Sequence, residues 1–170
     1  MFTDHLCYAS PRASVQSLEA SMITAYKPDS KRIPIEGATT LGLRAYNVNE
    51  LIKKLETGFK ADVADRIAQT VGLPFSTFAK ELQLTSSTVS KAKKHELPLS
   101  RDTSETLYRV ARIFERTLTL FDGDKAKAAR WVTTPKHGLN DQSPLRFART
   151  EPGGETVLTL LDEITDGGPA

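Results

Sequence analysis

Cysteine is almost missing from this chain: Cys7 is the only one in 170 residues, so no intramolecular disulfide can form and a reducing compartment is indicated. Histidine is scarce as well. His5, His95 and His137 lie far apart, and none has Cys, Asp or Glu at metal-ligand spacing. Long apolar runs are lacking, and nothing approaches the roughly 20 residues that span a bilayer. The opening MFTDHLCYASPRASVQ has no apolar core of the kind a secretory leader carries. A soluble, cytoplasmic protein with no membrane partner is therefore expected. Convincing strand alternation is lacking too, so the fold is expected to be all-α. G-x-x-x-x-G-K-[ST], G-x-G-x-x-G and G-x-S-x-G are all missing, so no enzyme and no cofactor are expected. Net charge is only +2 with a pI near 8.7; total charge alone does not argue for nucleic acid.

What is present is organised around Phe75 to Lys94, FSTFAKELQLTSSTVSKAKK. Phe75, Phe78, Ala79 and Leu82 fall at i, i+3, i+4 and i+7, one apolar face of a helix. Thr85 or Ser86 is placed to cap a second helix, because a hydroxyl accepts from an unpaired backbone N–H. Val89 is that helix's single strong apolar anchor. Its other faces carry Ser86, Ser87, Ser90, Lys91 and Lys94. Such a helix cannot bury itself; it must sit on the first and present its polar side outward. This is the pattern of a helix-turn-helix, whose second helix enters the major groove. Ala79 is small where the helices approach closely. Gln83 stands where such motifs often place Gly, at a left-handed position costing a non-Gly residue roughly 1 kcal/mol. The alternative is an ordinary αα-hairpin with a polar outer face. Local charge favours DNA: from Thr85 to Arg101 there are four Lys/Arg against one acid, Glu96. Ser87 and Ser90 are expected at base edges, with Lys91 and Lys94 at phosphates or bases and Ser86, Lys93 and Arg101 completing the DNA-binding set.

Around this motif the chain divides into an N-terminal arm (1–44), a DNA-binding region (45–121) and a C-terminal region (122–170). The arm is broken by Pro11, Pro28, Pro34 and Gly37; Lys27, Lys31 and Arg32 would permit it to touch DNA, but a poorly ordered terminus is favoured. Asn47 to Thr57 and Phe59 to Val71 read as helices that build the motif's back. Leu107, Val110, Ala111, Phe114, Leu118 and Phe121 line one face of a long helix opened by Ser100 or Asp102, more a core face than a dimer interface. Asp124 caps a helix with Trp131, which is expected to pack against the long one. Ser143-Pro144 opens a short helix. Gly153-Gly154 reads as a break before a last helix, Thr156 to Ile164.

The order and spacing in the second half carry a resemblance. After the long helix come D-x-x-x-A-x-x-W (Asp124, Ala128, Trp131), then L-x-x-x-x-P-L (Leu139, Pro144, Leu145), then R-T-x-x-G-x-x-x-V-x-x-x-L (Arg149, Thr150, Gly153, Val157, Leu161). From about Asn49 to Gly168 the chain resembles the MbcA/ParS/Xre antitoxin family, departing from its small-residue turn at Asn140-Asp141-Gln142. The resemblance implies a helix-turn-helix domain followed by a small helical toxin-binding domain. It implies a RES-domain, NAD-degrading toxin as partner, occluded by the C-terminal region, and operator DNA of the chain's own promoter, which the protein represses. A homodimer is expected, since operators mirror two-fold symmetry. The toxin-binding residues so implied are Arg149, Glu151, Glu155, Val157, Leu160, Leu161, Ile164 and Asp166. Composition agrees: residues 151–170 hold five acids and no Lys or Arg, suited to a basic groove on a protein. The apolar stripe of residues 157–164 is too narrow for a core of its own, so deleting 150–170 is expected to spare DNA binding and abolish neutralisation. The other reading is a stand-alone regulator whose C-terminal half dimerises or senses an effector.

Overall fold

A computed structural model describes residues 35–42 and 47–167. Cys7 and the basic arm residues Lys27, Lys31 and Arg32 lie outside them. Eight α-helices are present among the described residues: α1 (Val48–Thr57), α2 (Asp62–Thr70), α3 (Phe75–Glu81), α4 (Ser86–Lys94), α5 (Arg101–Leu120), α6 (Lys125–Thr133), α7 (Pro144–Phe147) and α8 (Glu151–Thr165), with a 3-10 turn at His137–Leu139 between α6 and α7. No strand occurs among these residues, and the all-α expectation holds. Two isolated antiparallel bridges join Lys60 to Pro98 and Lys136 to Gln142.

Local chemistry sets most helix starts. The side chains of Asn47, Ser100, Asp124, Ser143 and Thr150 each accept a backbone N–H in the first turn that follows, donors that a helix otherwise leaves without partners. The α3–α4 turn closes through the left-handed Gln83 (φ 54). Leu84 N–H donates to the Ala79 carbonyl at 2.8 Å and Gln83 N–H to Lys80 at 3.1 Å, the double bond that ends a helix at a left-handed residue. Glu96 (φ 53) ends α4 in the same way, with Leu97 N–H on the Ala92 carbonyl at 2.9 Å. The second helix begins later than the apolar spacing suggests, at Asp62. Phe59 and Lys60 are instead extended against the chain leaving α4: Leu99 N–H donates to the Phe59 carbonyl at 2.8 Å, and Phe59 N–H donates to the buried Ser104 hydroxyl at 2.9 Å.

The core is built on α5. Leu107, Val110, Ala111, Ile113 and Phe114 are at most 1% exposed, and α2, α6 and α8 all pack on this helix. Buried residues on both sides of position 121 belong to a single cluster, from Leu41 to Leu161. Part of the expected arm is built in too. Gly37 and Thr40 donate their N–H groups to the two carboxylate oxygens of Glu115, at 2.6 and 2.7 Å. Arg66 reaches the Leu41 carbonyl at 2.9 Å, and Leu41 is 1% exposed.

The last helix differs from its expected form. Gly153 and Gly154 do not break it; they lie inside its first turn and are buried. A side chain at 153 would meet the Phe147 carbonyl, and one at 154 would press on the Arg109 chain at 3.1 Å. Glycine is required here by close approach, so that α7 and α8 can turn tightly onto α5. Gly153→Ala is expected to destabilise the fold by about 1–3 kcal/mol. Gly138→Ala, with open space around the added methyl, should be near neutral. Urea titration of the two variants checks the difference.

Candidate DNA-binding and partner-binding surfaces

In α4 the two small apolar residues Val89 and Ala92 are buried, at 4% and 6% exposure, against the rest of the fold. At 3.6 residues per turn, Ser87, Ser90, Lys91 and Lys94 then point the opposite way, and all four are exposed. Neither Lys91 nor Lys94 makes an ion pair among the described residues. The outward face therefore carries hydroxyls for hydrogen bonding and two uncommitted cations for phosphate.

The remaining residues of the expected DNA set divide. Ser86 is exposed at the first turn, beside Thr85, which occupies the cap position without a side-chain hydrogen bond. Lys93 lies on the flank facing α2, with Nζ 2.6 Å from Asp65. That hydrogen bond, more than any other effect, holds its proton more tightly than usual. Arg101 pairs with Glu105 at 2.7 Å, one turn along α5, and its pKa is raised by the same kind of contact. Both remain exposed, but each already has an acid of its own chain. No sequence pattern announces the Lys93–Asp65 pair, because its partners are 28 residues apart.

The C-terminal helix shows a different division from the one its composition suggests. Val157 and Leu161, expected at a toxin interface, are 0% exposed. They pack in the core with Leu158 because α5 offers the larger apolar face close by. Glu151 and Glu155, expected to serve a basic partner, are engaged at home: Arg109 meets Glu151 at 3.0 Å and Arg112 meets Glu155 at 3.4 Å, while Arg116 meets Asp162 at 3.4 Å. Glu36 adds a second acid to Arg112 and Arg116, at 3.8 and 3.3 Å. The arginines stand at i, i+3 and i+7 on α5, so one edge of each helix forms a charged ladder, and the order of the pairs runs the helices in the same direction. Leu160 and Ile164 are half-buried, and Asp166 is exposed. Arg149 does not sit on this helix. It lines a cleft of about 470 Å³ with Gln83, Thr85 and Ser100, beside the turn of the DNA-binding motif.

Arg109 is a residue the sequence reading passed over. It donates to the Ala148 and Arg149 carbonyls at 3.2 and 3.1 Å and to the Thr106 hydroxyl at 3.0 Å, closing the corner between α7 and α8 onto α5. A cation between Leu107 and Val110, on the edge of an apolar face, was the available signal. Trp131, expected in the core, is only partly buried; Ala128 and Val132, both 0% exposed, are the residues α6 sends inward. Trp131 instead borders a groove, with the Lys136 ammonium 5.2 Å over its ring.

Among the described residues no helix is long and apolar enough to cross a membrane. The molecule is a helix-turn-helix protein whose recognition surface is joined, through one long helix, to a second helical region. Comparison with known proteins names both parts. A model described as the antitoxin Xre-like helix-turn-helix domain matches residues 50–112, and one described as the antitoxin Xre/MbcA/ParS C-terminal toxin-binding domain matches residues 117–167. The antitoxin Xre of Yersinia enterocolitica is 29% identical over 127 residues, covering 75% of this chain and 86% of that one. The antitoxin Xre of Photorhabdus laumondii is 36% identical over 66 residues, 39% of this chain and 45% of that one. The antitoxin Xre of Pseudomonas putida is 30% identical over 80 residues, 47% of this chain and 50% of that one. The chain belongs to the Xre/MbcA/ParS antitoxin family: it is an antitoxin with a helix-turn-helix DNA-binding domain and a C-terminal toxin-binding domain.

Proposed function

We propose that this antitoxin neutralises a RES-domain, NAD-degrading toxin by covering its active site, and that it represses its own operon through α4, as a homodimer on a two-fold operator. The observation that carries the reading is the separation of the two surfaces. Ser87, Ser90, Lys91 and Lys94 face outward at one helix, while the toxin-binding match begins at residue 117, beyond the whole motif. DNA and a protein partner are therefore served by different side chains. Ser86 completes the DNA face, and Lys93 and Arg101 support it from its flanks. On the partner side, Leu160, Ile164 and Asp166 are the expected contacts that remain accessible. A homodimer doubles a small set of base contacts and matches the symmetry of an operator.

The test pairs two measurements. A RES-domain protein encoded beside this chain should arrest growth when expressed alone and should not when co-expressed with it. The purified chain should shift a fragment of its own promoter. A neighbouring toxin of another class would refute the RES assignment. Promoter binding with no toxin in the neighbourhood would support a stand-alone regulator instead.

A further inference from the structure

Helix α8 presents three sides to its surroundings. One, with Val157, Leu158 and Leu161, is core. A second, with Glu151, Glu155 and Asp162, is matched by the arginines of α5. The third, with Thr156, Thr159, Leu160, Glu163 and Ile164, forms one wall of a groove of about 730 Å³, whose other wall is Trp131, Lys136 and the 3-10 turn.

We infer that this groove is the seat of the toxin, taking an apolar segment of that protein against Trp131, Leu160 and Ile164 and an acidic group of it at Lys136. The inference rests on the toxin-binding reading of the C-terminal segment and says where on it the partner sits. All the lining residues fall within the matched toxin-binding segment, 117–167, and none belongs to the outward face of α4. The groove holds the chain's only tryptophan, half-buried, with the Lys136 ammonium 5.2 Å from its ring centre. Large aromatic rings in partly desolvated pockets are where interface energy concentrates. Lys136 has no acidic partner among the described residues. Burial makes its ammonium easier to deprotonate than a free lysine, so a carboxylate arriving beside it replaces lost hydration with a charge-assisted hydrogen bond. The acidic edge of α8 is a poorer candidate, because a basic partner there would have to displace Arg109, Arg112 and Arg116 from acids they already hold.

The test uses the full chain and an inactivated copy of the toxin encoded beside it, with promoter binding as the control for folding. Thr159 is exposed, and Thr159→Arg places a long cation across the groove; it should raise the Kd for toxin about 30-fold or more, the scale of an interface hot spot. Trp131→Ala should do the same. Glu155→Gln, on the ladder edge, should change it by no more than about threefold, as an exposed charge does. All three should still bind the promoter. Unchanged toxin affinity in Thr159→Arg, with wild type binding normally, overturns the groove and leaves the toxin-binding reading standing. A wild-type chain that binds no toxin overturns both. Should Thr159→Arg instead convert a dimer to a monomer, or should deletion of residues 1–34 tighten toxin binding, the occupant is a second copy or the chain's own N-terminal segment, and the inference fails.

Discussion

Removal of residues 150–170 is expected to unfold the chain, not to trim a partner-binding tail from an intact DNA-binding domain. The stripe of α8 that seems too narrow to stand alone does not wait for a partner; it docks on α5. Leu158 and Leu161 are 7% and 0% exposed, and losing a buried leucine costs about 2–5 kcal/mol. Deletion removes both, with Val157, and bares the face of α5 beneath them. It also strands Arg109, whose side chain is 12% exposed and loses Glu151. Against a total stability of roughly 5–15 kcal/mol, that loss is decisive. Leu107 of α5 shares one core cluster with Phe78, Leu82 and Val89 of the helix-turn-helix, so promoter binding should disappear together with neutralisation. Thermal melts followed by circular dichroism, with sedimentation for aggregation, measure the outcome. A truncated chain that melts cooperatively near the full-length temperature and still shifts the promoter would show α8 to be a detachable element.

The second large effect belongs to α4. Substituting Lys91 and Lys94 together by Ala should weaken promoter binding severely and lower the steepness of its salt dependence by about 1.8 units, at roughly 0.9 per phosphate contact. Fold stability should stay unchanged, because both side chains point away from Val89 and Ala92. Lys93→Gln should have the smaller effect of the three lysines. Its ammonium is already shared with Asp65, so the net charge it offers to phosphate is reduced. Gel shifts at several salt concentrations read the slopes directly. An unchanged slope in the Lys91/Lys94 variant would show that another surface reads the operator.

These two expectations show where sequence reading stops. The helix-turn-helix was legible because its signals are local. Phe78, Ala79 and Val89 sit at helical spacing, and the left-handed turn at Gln83 follows from geometry within ten residues. The caps at Asp124 and Ser143 were legible for the same reason, and Ser100 was one of two candidates beside Asp102: each acceptor lies two or three residues from its donor. The start of α8 was misread because glycine in a sequence reports flexibility. Only the fold reveals that Gly153 is there for the carbonyl of Phe147.

What the sequence by itself determined is the class: an all-α chain, its helix-turn-helix, the order of its helices and the family they belong to. Periodicity and capping act between near neighbours, so they survive in one dimension. What only the tertiary structure decided is which charges and apolar residues are free. Five acids in the last twenty residues suggest a surface awaiting a cation. Folding brings α5 alongside, and three of those acids find Arg109, Arg112 and Arg116. The same packing ties Lys93 to Asp65 on the flank of α4, turns Val157 and Leu161 inward, and leaves Trp131 at the rim of a groove. Each of these outcomes depends on a partner 20 or more residues away, as Lys93 and Asp65 are at a separation of 28. Coulombic attraction and apolar burial act on distance in space, which the order of residues does not contain.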